Sequence, residues 1–299
     1  GIREIAGSAK VNYYNYGDDV RQNSMDKVNE AAAIAKKSDL AIVVVGENPL
    51  RYQKSKTCGE NIDRMGLDLL GTQNQLVQKI HETGVPTIVV LVGGRPLSVN
   101  WIAQNVQALV QAWEPGSLGG RALANILAGK VNPSAKLPIS IPRHSGQIQM
   151  IYNHKPSQYF HKYIDGPSTP LYPFGFGLSY TRFAYSSLKL SHTRISDKDS
   201  FTASIELTNV GDREGTEVVQ LYIRDIYSSA TRPVKELKDF ARVTLKPGEK
   251  KTVTFTVTPD KLAYWNRNMQ YGVEKGEFEI MIGSSSQDKD LKKVKMEVL

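Results

Sequence analysis

Two glutamates, Glu47 and Glu60, lie in the polar segment that follows the first strongly apolar run of the sequence. The run Leu40–Val45 predicts a strand buried on both faces, as in a parallel sheet. Parallel sheets bind their ligands at the loops that follow the carboxyl ends of the strands. A glutamate in such a loop is a candidate general acid, since burial raises the pKa of a carboxyl group. The segment 46–66 is therefore the first candidate site.

The spacing of these residues leaves the role of each charged side chain open. Most glutamates are exposed loop residues, so spacing alone favours that interpretation for Glu60. Glu47 directly follows the strand, and it is either catalytic or an acceptor of backbone N–H groups that orients the loop. Asp63 and Arg64 either pair with each other or hold the loop in place. Arg95, after the second predicted strand, is a candidate partner for a loop carboxylate.

Other residue types that can do chemistry give weaker signals. Cys58 is the sole cysteine, and there is no Cys/His pattern with metal-ligand spacing, so we predict a structural cysteine and no metal site. Isolated loop histidines are seldom ligands. Glycine pairs without GxGxxG or a following Lys-Ser/Thr favour turns, or at most a weak anion site, over nucleotide binding. Trp113 is either a core residue or a platform on which a sugar stacks. The histidines and glycines concerned are His144, His154, His161, Gly93, Gly94, Gly116, Gly119 and Gly120.

The composition of the 299 residues is that of a globular protein, with 40% hydrophobic residues and a formal net charge of +8. The basic residues are spread along the chain without alternating aromatics, so we predict no nucleic-acid partner. No apolar run approaches the ~18 residues that a membrane span requires, so we predict no membrane partner. The sequence starts without Met or a signal peptide, and we expect a fragment or a processed chain.

The first half of the chain alternates predicted helices with predicted strands through short connections. This order is typical of an α/β domain, a parallel sheet with flanking helices. The helices are predicted over 21–37, 72–82, 96–103 and 119–128, and the strands over 40–45, 87–92 and 108–113. Ser24 and Thr72 are the expected N-caps of the first two helices.

The second half of the chain has a different period. A long segment, 143–180, is rich in His, Tyr, Pro and Gly without a regular period, as in functional or interdomain loops. After Thr181, apolar and polar residues alternate between turn signals, which predicts about seven short strands in an immunoglobulin-like or fibronectin-type sandwich. The clearest strands are 201–210, 217–225, 251–257 and 277–282. The predicted fold class is an α/β sandwich domain followed by an all-β sandwich.

A series of ordered motifs covers nearly the whole chain. The motifs are AIVVVGE (41–47), GENIDR (59–64), LDL (67–69), GGRPL (93–97), WEPGSLGG (113–120), GKVNPSAKLPISIPR (129–143), LYPFGFGLSYTRF (171–183), LTNVGDREGTEVVQLYIRD (207–225) and RPVKELKDFARVTLKPGE (232–249). Together they resemble the C-terminal portion of glycoside hydrolase family 3 enzymes, of the bacterial periplasmic β-glucosidase type. So many matches in one order are far more specific than any single motif.

The resemblance implies a domain organisation. Residues 1–160 are expected to form the family's C-terminal α/β sandwich domain, 161–181 a linker, and 182–299 a fibronectin type III-like domain. An N-terminal (β/α)8 barrel that carries the nucleophile is implied on a missing segment or a second chain. The implied location is periplasmic or secreted.

The resemblance also implies an activity and its residues. Related sequences carry the acid/base glutamate in a motif like SGEASSR, which reads CGENIDR here, so Glu60 inherits that role, with Glu47 in reserve and Arg64 as a substrate contact. The implied enzyme is a retaining, exo-acting β-glucosidase that hydrolyses terminal β-D-glucosyl residues of glucosides or oligosaccharides, without a metal or cofactor. The alternative is a non-catalytic fragment, or a module that binds carbohydrate or docks to a partner.

Overall fold

The computed structural model describes residues 1–49, 55–147, 149–156 and 163–299 of the chain. The chain divides into two compact units, each with its own sheets. The first unit consists of Gly1–Val131 with Ile141–Ile148, and the second consists of Asn132–Ser140 with Gln149–Leu299. Within the described ranges, no helix is long and apolar enough to cross a membrane.

The first unit is built on a three-stranded parallel sheet with helices between the strands. The strands are β1 (Ala41–Gly46), β2 (Thr87–Val92) and β3 (Ala108–Trp113), and the helices are α1 (Ile2–Ile5), α2 (Met25–Ala35), α3 (Gln73–His81), α4 (Asn100–Asn105) and α5 (Gly119–Leu127). The strand order is β1-β2-β3, and all pairings are parallel, so the carboxyl ends of the strands meet at one edge. The predicted α/β architecture is confirmed.

The central strand carries the core of this unit. Val89 and Val90 of β2 are fully buried, as are Val28 of α2 and Val77 of α3. β1 is one of the two edge strands, and Val44 on one of its faces is 59% exposed, so the prediction that this strand is buried on both faces is wrong. The face that carries Ala41, Val43 and Val45 is buried, and this accounts for part of the apolar run. Among the described residues, nothing covers Val44 on the other face.

The fourth helix begins later than the sequence pattern predicts. α4 starts at Asn100 and not at Pro96, because the residues between them are engaged elsewhere. Ser98 donates its backbone N–H to the Leu67 carbonyl at 2.9 Å and its hydroxyl to the Pro142 carbonyl at 3.1 Å. This distant pairing holds the backbone outside a helical turn.

The predicted N-cap residues stand at the expected positions without capping. Ser24 and Thr72 precede α2 and α3, but neither side chain bonds to the first turn of its helix. The Thr72 hydroxyl instead donates to the Asn23 carbonyl at 3.3 Å. This bond links the start of α3 to the segment before α2.

The second unit consists of β-structure with two main sheets, antiparallel except for the pairing of β6 with β14. Its strands are β4 (Phe183–Tyr185), β5 (Lys189–Leu190), β6 (Arg194–Ile195), β7 (Phe201–Asn209), β8 (Gly215–Asp225), β9 (Glu236–Leu245), β10 (Lys250–Val257), β11 (Tyr264–Trp265), β12 (Tyr271–Gly272), β13 (Gly276–Gly283) and β14 (Leu291–Val298), with α6 at Pro259–Leu262 and a 3-10 helix at Asp288–Asp290. One sheet has the order β10-β7-β4 with β5 also on β7, and the other has the order β6-β14-β13-β8-β9. β11 and β12 form a separate hairpin.

The core of this unit lies between the inward faces of the two sheets. Alternate residues of β7, such as Ile205 and Leu207, and of β13, such as Ile280 and Ile282, are buried in one apolar cluster. The predicted β-sandwich is confirmed, with more strands than the expected seven. β5 and β6 are two residues each, too short to produce an alternating pattern in the sequence.

Candidate active site

The candidate residues lie beyond the carboxyl ends of β1, β2 and β3. Glu47 donates its backbone N–H to the Val92 carbonyl at 2.8 Å, and Gly93 donates to the Trp113 carbonyl at 3.0 Å, so the three strand ends are side by side. Gly46 has φ +140°, and a Cβ there would lie 1.8 Å from the Val92 carbonyl oxygen. Only glycine therefore allows the chain to leave β1 in this direction.

A buried glutamine fixes the end of β1. The Gln73 side-chain oxygen accepts the Gly46 N–H at 2.7 Å, and its amide nitrogen donates to the Gly46 carbonyl at 3.0 Å. Gln73 is 2% exposed and is the first residue of α3. Sequence reasoning missed this role, since a polar residue at the start of a helix resembles an ordinary surface position. Through these bonds α3 sets the direction in which Glu47 leaves the sheet.

Glu47 is the centre of a buried ion cluster. Arg64 donates from Nη1 to Oε1 at 2.7 Å, and Arg95 donates from Nε to Oε2 at 2.9 Å. The Glu47 side chain is 1% exposed, so both carboxylate oxygens are satisfied away from solvent. The predicted pairing of Arg95 with a loop carboxylate is confirmed, and the acceptor of Arg64 is Glu47.

The segment after Glu47 is closed by two short pairings. Asn48 and Thr57 bond reciprocally, since the Asn48 N–H reaches the Thr57 hydroxyl and the Thr57 N–H reaches the Asn48 carbonyl, both at 2.8 Å. The side-chain amide of Asn48 also donates, from Nδ2, to the Ser55 hydroxyl at 3.0 Å. The residues that lead into the Glu60 motif are thus held against the start of the loop.

Glu60 occupies the corner of a tight turn. Ile62 donates its N–H to the Gly59 carbonyl at 3.0 Å, and Asn61 has φ +62°, as expected for the third residue of a type II β-turn. Glu60 is the second residue of this turn and is exposed. Lys56 donates from Nζ to the Glu60 backbone carbonyl at 2.7 Å, which fixes the turn at its base. Glu60 is thus an exposed residue on a constrained backbone.

Cys58, two residues before Glu60, is 3% exposed. Burial raises the pKa of its thiol, the Glu47 carboxylate raises it further, and the Arg95 guanidinium works in the opposite direction. A thiol held in its neutral form is a poor nucleophile. Cys58 therefore fills space beneath the loop, in agreement with the structural role predicted for it.

The other candidates do not join this cluster. The His144 ring accepts the Gly146 N–H at 2.9 Å, the His154 ring contacts the Lys155 carbonyl, and His161 lies outside the described residues. In the described part of the chain, no group of three His, Cys, Asp or Glu side chains could hold a metal. Trp113 is half-buried at the same strand edge, with φ +53°, which is rare for a bulky residue. Both alternatives for Trp113, core and sugar platform, stay open.

Neither of the two cavities described in the chain belongs to this loop. One, of about 310 Å³, is lined by residues of α2, α3 and the turn after α3, and the other, of about 150 Å³, lies in the second unit. Glu47 and Glu60 line neither of them.

Comparison with known proteins identifies both parts of the chain. Residues 1–180 match the glycosyl hydrolase family 3 C-terminal domain, and residues 217–286 match the fibronectin type III-like domain.

Similar proteins match most or all of the chain. A β-xylosidase of Formosa agariphila is 45% identical over 100% of this chain and 41% of its own length. A periplasmic β-glucosidase of Salmonella typhimurium is 41% identical over 87% of this chain and 34% of its own length. The crystal structure of a β-glucosidase from Listeria innocua superposes with a TM-score of 0.87 at 32% identity, over 100% of this chain and 41% of that one.

The chain thus spans about two-fifths of the length of these relatives, or less. Its matched domains and its relatives agree with one another and with the motifs along the sequence. The chain belongs to glycosyl hydrolase family 3 and corresponds to the C-terminal portion of its β-glucosidases and β-xylosidases.

Proposed function

We propose that this chain supplies Glu60 as the general acid/base of a retaining, exo-acting β-glucosidase. The nucleophile would come from an N-terminal (β/α)8 barrel domain or chain, which is the partner of the 46–66 loop. The observation that carries the proposal is the position of Glu60, at the exposed corner of a fixed turn. The loop around it is attached to the sheet edge through the ion pair of Glu47 with Arg64.

The contacts support different roles for the two glutamates. A general acid must come within hydrogen-bond reach of the glycosidic oxygen. Glu47 is 1% exposed and both its oxygens accept bonds from arginines, so it is placed to anchor the loop. Glu60 is exposed on the same loop, which supports the proposal that it meets a sugar held by the barrel. Glu47 thus serves as a positioning residue and Glu60 as the catalytic one.

Arg64 is the proposed substrate contact. Its Nη1 bonds to Glu47 and its Nη2 to the Asp68 carbonyl, which holds the guanidinium in one orientation. A guanidinium has five N–H donors, so further donors remain for a sugar hydroxyl. A donor fixed in this way loses little conformational freedom when a hydroxyl binds.

The proposed reaction follows the double displacement of retaining glycosidases. Glu60 protonates the departing glycosidic oxygen while the barrel carboxylate attacks the anomeric carbon, and a covalent glycosyl-enzyme forms. Glu60, now ionised, then takes a proton from the water that releases the sugar. The two carboxyl groups need a separation of about 5–5.5 Å, which requires the loop to close over the barrel mouth. This mechanism runs on two carboxyl groups without a metal or cofactor.

The proposed substrate is a β-glucoside or an oligosaccharide with a terminal β-D-glucosyl residue. A β-xyloside is the second candidate, since the Formosa agariphila relative is named a β-xylosidase. A periplasmic or secreted location is proposed because the Salmonella typhimurium relative is named a periplasmic β-glucosidase. The absence of nucleic-acid and membrane partners stays a prediction.

The role of Glu60 can be tested through the leaving group, in the whole enzyme that contains this chain. Glu60→Ala should slow hydrolysis of an alkyl β-glucoside by ~10²–10⁴-fold, because a poor leaving group needs protonation. An aryl β-glucoside with an acidic phenol needs little protonation, so its glycosylation step should slow far less. Asp63→Ala, which removes another exposed carboxylate from the same loop, is the matched control and should leave both rates unchanged.

Two outcomes would contradict the proposal. An equal loss with both leaving groups in Glu60→Ala would mean that Glu60 does not donate the proton. Turnover of an aryl β-glucoside by the purified 299-residue chain alone would mean that this chain does not depend on a barrel.

A further inference from the structure

An exposed aromatic pair lies on the hairpin of β11 and β12 in the second unit. Trp265 and Tyr271 stand directly opposite each other in the antiparallel register, so their side chains project from the same face. Their ring centroids are 5.4 Å apart, and the ring planes make an angle of 50°. The two residues are 61% and 53% exposed. Large exposed apolar side chains that lie side by side are typical of binding surfaces.

The turn that connects the two strands is held by one asparagine. Asn266 donates its N–H to the Gln270 carbonyl at 3.0 Å, and its own carbonyl accepts the Met269 N–H at 3.0 Å. Its side-chain oxygen accepts the N–H groups of Asn268 at 2.9 Å and of Gln270 at 3.1 Å. These four bonds fix the backbone between the two aromatic residues, and with it the spacing of their rings.

The hairpin is also attached to the segment that follows β8. Arg267 donates from Nε and Nη2 to the Ser229 carbonyl, at 3.1 and 2.9 Å. Tyr264, which precedes Trp265, is 8% exposed, and its hydroxyl accepts the Ser229 N–H at 3.2 Å. The exposed rings are therefore held in place before any ligand arrives, which lowers the entropy that binding costs.

The area of the pair decides which size of partner it fits. A Trp or Tyr side chain has roughly 150–250 Å² of surface, so at these exposures the two rings together present about 250 Å². A stable protein–protein interface needs about 800 Å² from each partner. The pair is thus too small to hold a second protein by itself, and it matches a ligand of a few sugar rings.

The surrounding charges select a neutral ligand. The chain has a formal net charge of +8, and Arg267 lies in the hairpin itself, so a cation is disfavoured over these rings. Two of the Arg267 donors are directed at a backbone carbonyl. The other polar side chains of the turn are amides, which both donate and accept hydrogen bonds, as sugar hydroxyls do. They are Asn266, Asn268 and Gln270.

We propose that Trp265 and Tyr271 form a non-catalytic stacking site for a neutral oligosaccharide of pyranose units. The C–H groups on the face of a pyranose ring would pack against the aromatic rings, and the hydroxyls at its edge would meet the amides of the turn. The site lies apart from the 46–66 loop in the sequence. It goes beyond the proposed hydrolase function and does not depend on it.

The test is an NMR titration of the 299-residue chain with cellotetraose, read at the indole N–H signals of its three tryptophans. Comparison with Trp265→Phe assigns the signal of Trp265. That signal should shift in a saturable way, with a dissociation constant on the order of millimolar. The signals of Trp101 and Trp113 should stay in place.

Substitutions at Tyr271 separate stacking from general apolar contact. Tyr271→Leu keeps an apolar side chain without a ring face and should weaken binding about fivefold or more, whereas Tyr271→Phe keeps the ring and should bind within about twofold of the parent. Phe240→Leu is the matched control, because Phe240 is another aromatic residue of this unit and is 59% exposed. It should bind as the parent does.

Several outcomes would overturn the proposal. A Trp265 signal that does not saturate would mean that the pair only stabilises its hairpin, and a shift of Trp113 alone would place the sugar in the first unit. Equal effects of Tyr271→Leu and Phe240→Leu would exclude stacking on this pair. An equal response to tetramethylammonium would identify a cation site. Self-association in sedimentation velocity that Tyr271→Leu abolishes, without sugar binding, would identify an interface between copies of the chain. If Tyr271→Leu does not fold, the position of the shifts in the parent chain decides.

Discussion

The carboxylate of Glu47 and the guanidinium of Arg64 meet at 2.7 Å, although the two residues are 17 positions apart. Glu47 directly follows β1, so this ion pair closes the intervening chain into a ring at the edge of the sheet. Arg95, which follows β2, bonds to the other oxygen of the same carboxylate and ties the ring to the next strand. Glu60 lies on this ring, so its backbone is anchored to the edge of the sheet.

Neutralising Glu47 should destabilise the chain strongly. Glu47→Gln leaves two partly buried arginines without their buried counter-charge, and breaking a buried pair costs about 3–5 kcal/mol of unfolding free energy. The matched control is Glu82→Gln, since Glu82 pairs with Lys79 on the surface and such pairs contribute about 0–1 kcal/mol. Urea unfolding followed by tryptophan fluorescence measures both. Similar small losses in the two variants would show that the ion cluster does not anchor the loop.

The thiol of Cys58 reports on the same anchor without an activity assay. Burial and the Glu47 carboxylate raise its pKa, so the native chain should react slowly with an aromatic disulfide reagent. In Glu47→Gln the loop should open more often, and a weakening of about 3 kcal/mol corresponds to a reaction roughly 100-fold faster. Glu82→Gln should react at the parent rate. A parent chain whose thiol reacts as fast as it does in urea would contradict the closed ring.

Asp225 should give the second unit an unusual pH dependence. Burial raises the pKa of its carboxyl from 3.8 to about 6, against the lowering effect of Arg232 and with the help of Glu274 and Glu236. Between these pH values the folded chain binds a proton that the unfolded chain releases. The stability from this group is therefore complete below the unfolded pKa and is lost as the pH rises through about 6, and the difference amounts to about 3 kcal/mol.

Asp225→Asn removes this titration and should gain stability relative to the parent as the pH rises from about 4 to about 7.5. Asp199 provides a control, because bonds from Ser196 lower the pKa of its carboxyl below the ordinary value of 3.8, so the stability it contributes is present above that value and is lost only at lower pH. Asp199→Asn should therefore keep a nearly constant stability difference from the parent over the same range. Urea unfolding at the two pH values measures both, and a parallel response of the two variants would contradict the buried state of Asp225.

The main features of the fold could be predicted from local sequence patterns. Helix and strand alternation predicted the parallel sheet, and alternating residues after Thr181 predicted the β-sandwich. The errors came from contacts between distant segments. The start of α4 depends on the bond of Ser98 with Leu67, and the exposure of Val44 depends on β1 being an edge strand. The domain limits at 1–160, 161–181 and 182–299 stay predictions.

The candidate site was only partly predictable for the same reason. The sequence identifies Glu47 and Glu60 as loop carboxylates after a strand, and it leaves their roles open. The residues that distinguish them are distant in sequence, since Arg95 is 48 positions from Glu47 and Gln73 is 27 positions from Gly46. A local signal for Glu60 did exist, because Gly59 and Asn61 on either side of it are typical of a tight turn.

Azide rescue in the whole enzyme that contains this chain tests the central claim most directly, namely that Glu60 is the acid/base and Glu47 its anchor. In Glu60→Ala no base activates water, so the covalent intermediate should accumulate from an aryl β-glucoside. Azide needs no base, and it should restore turnover with a β-glucosyl azide as the product, the stereochemistry of a double displacement. Glu47→Ala should lose activity without rescue, because its loop loses its position. Rescue of Glu47→Ala and not of Glu60→Ala would reverse the two roles, and rescue of neither would mean that neither residue is the acid/base.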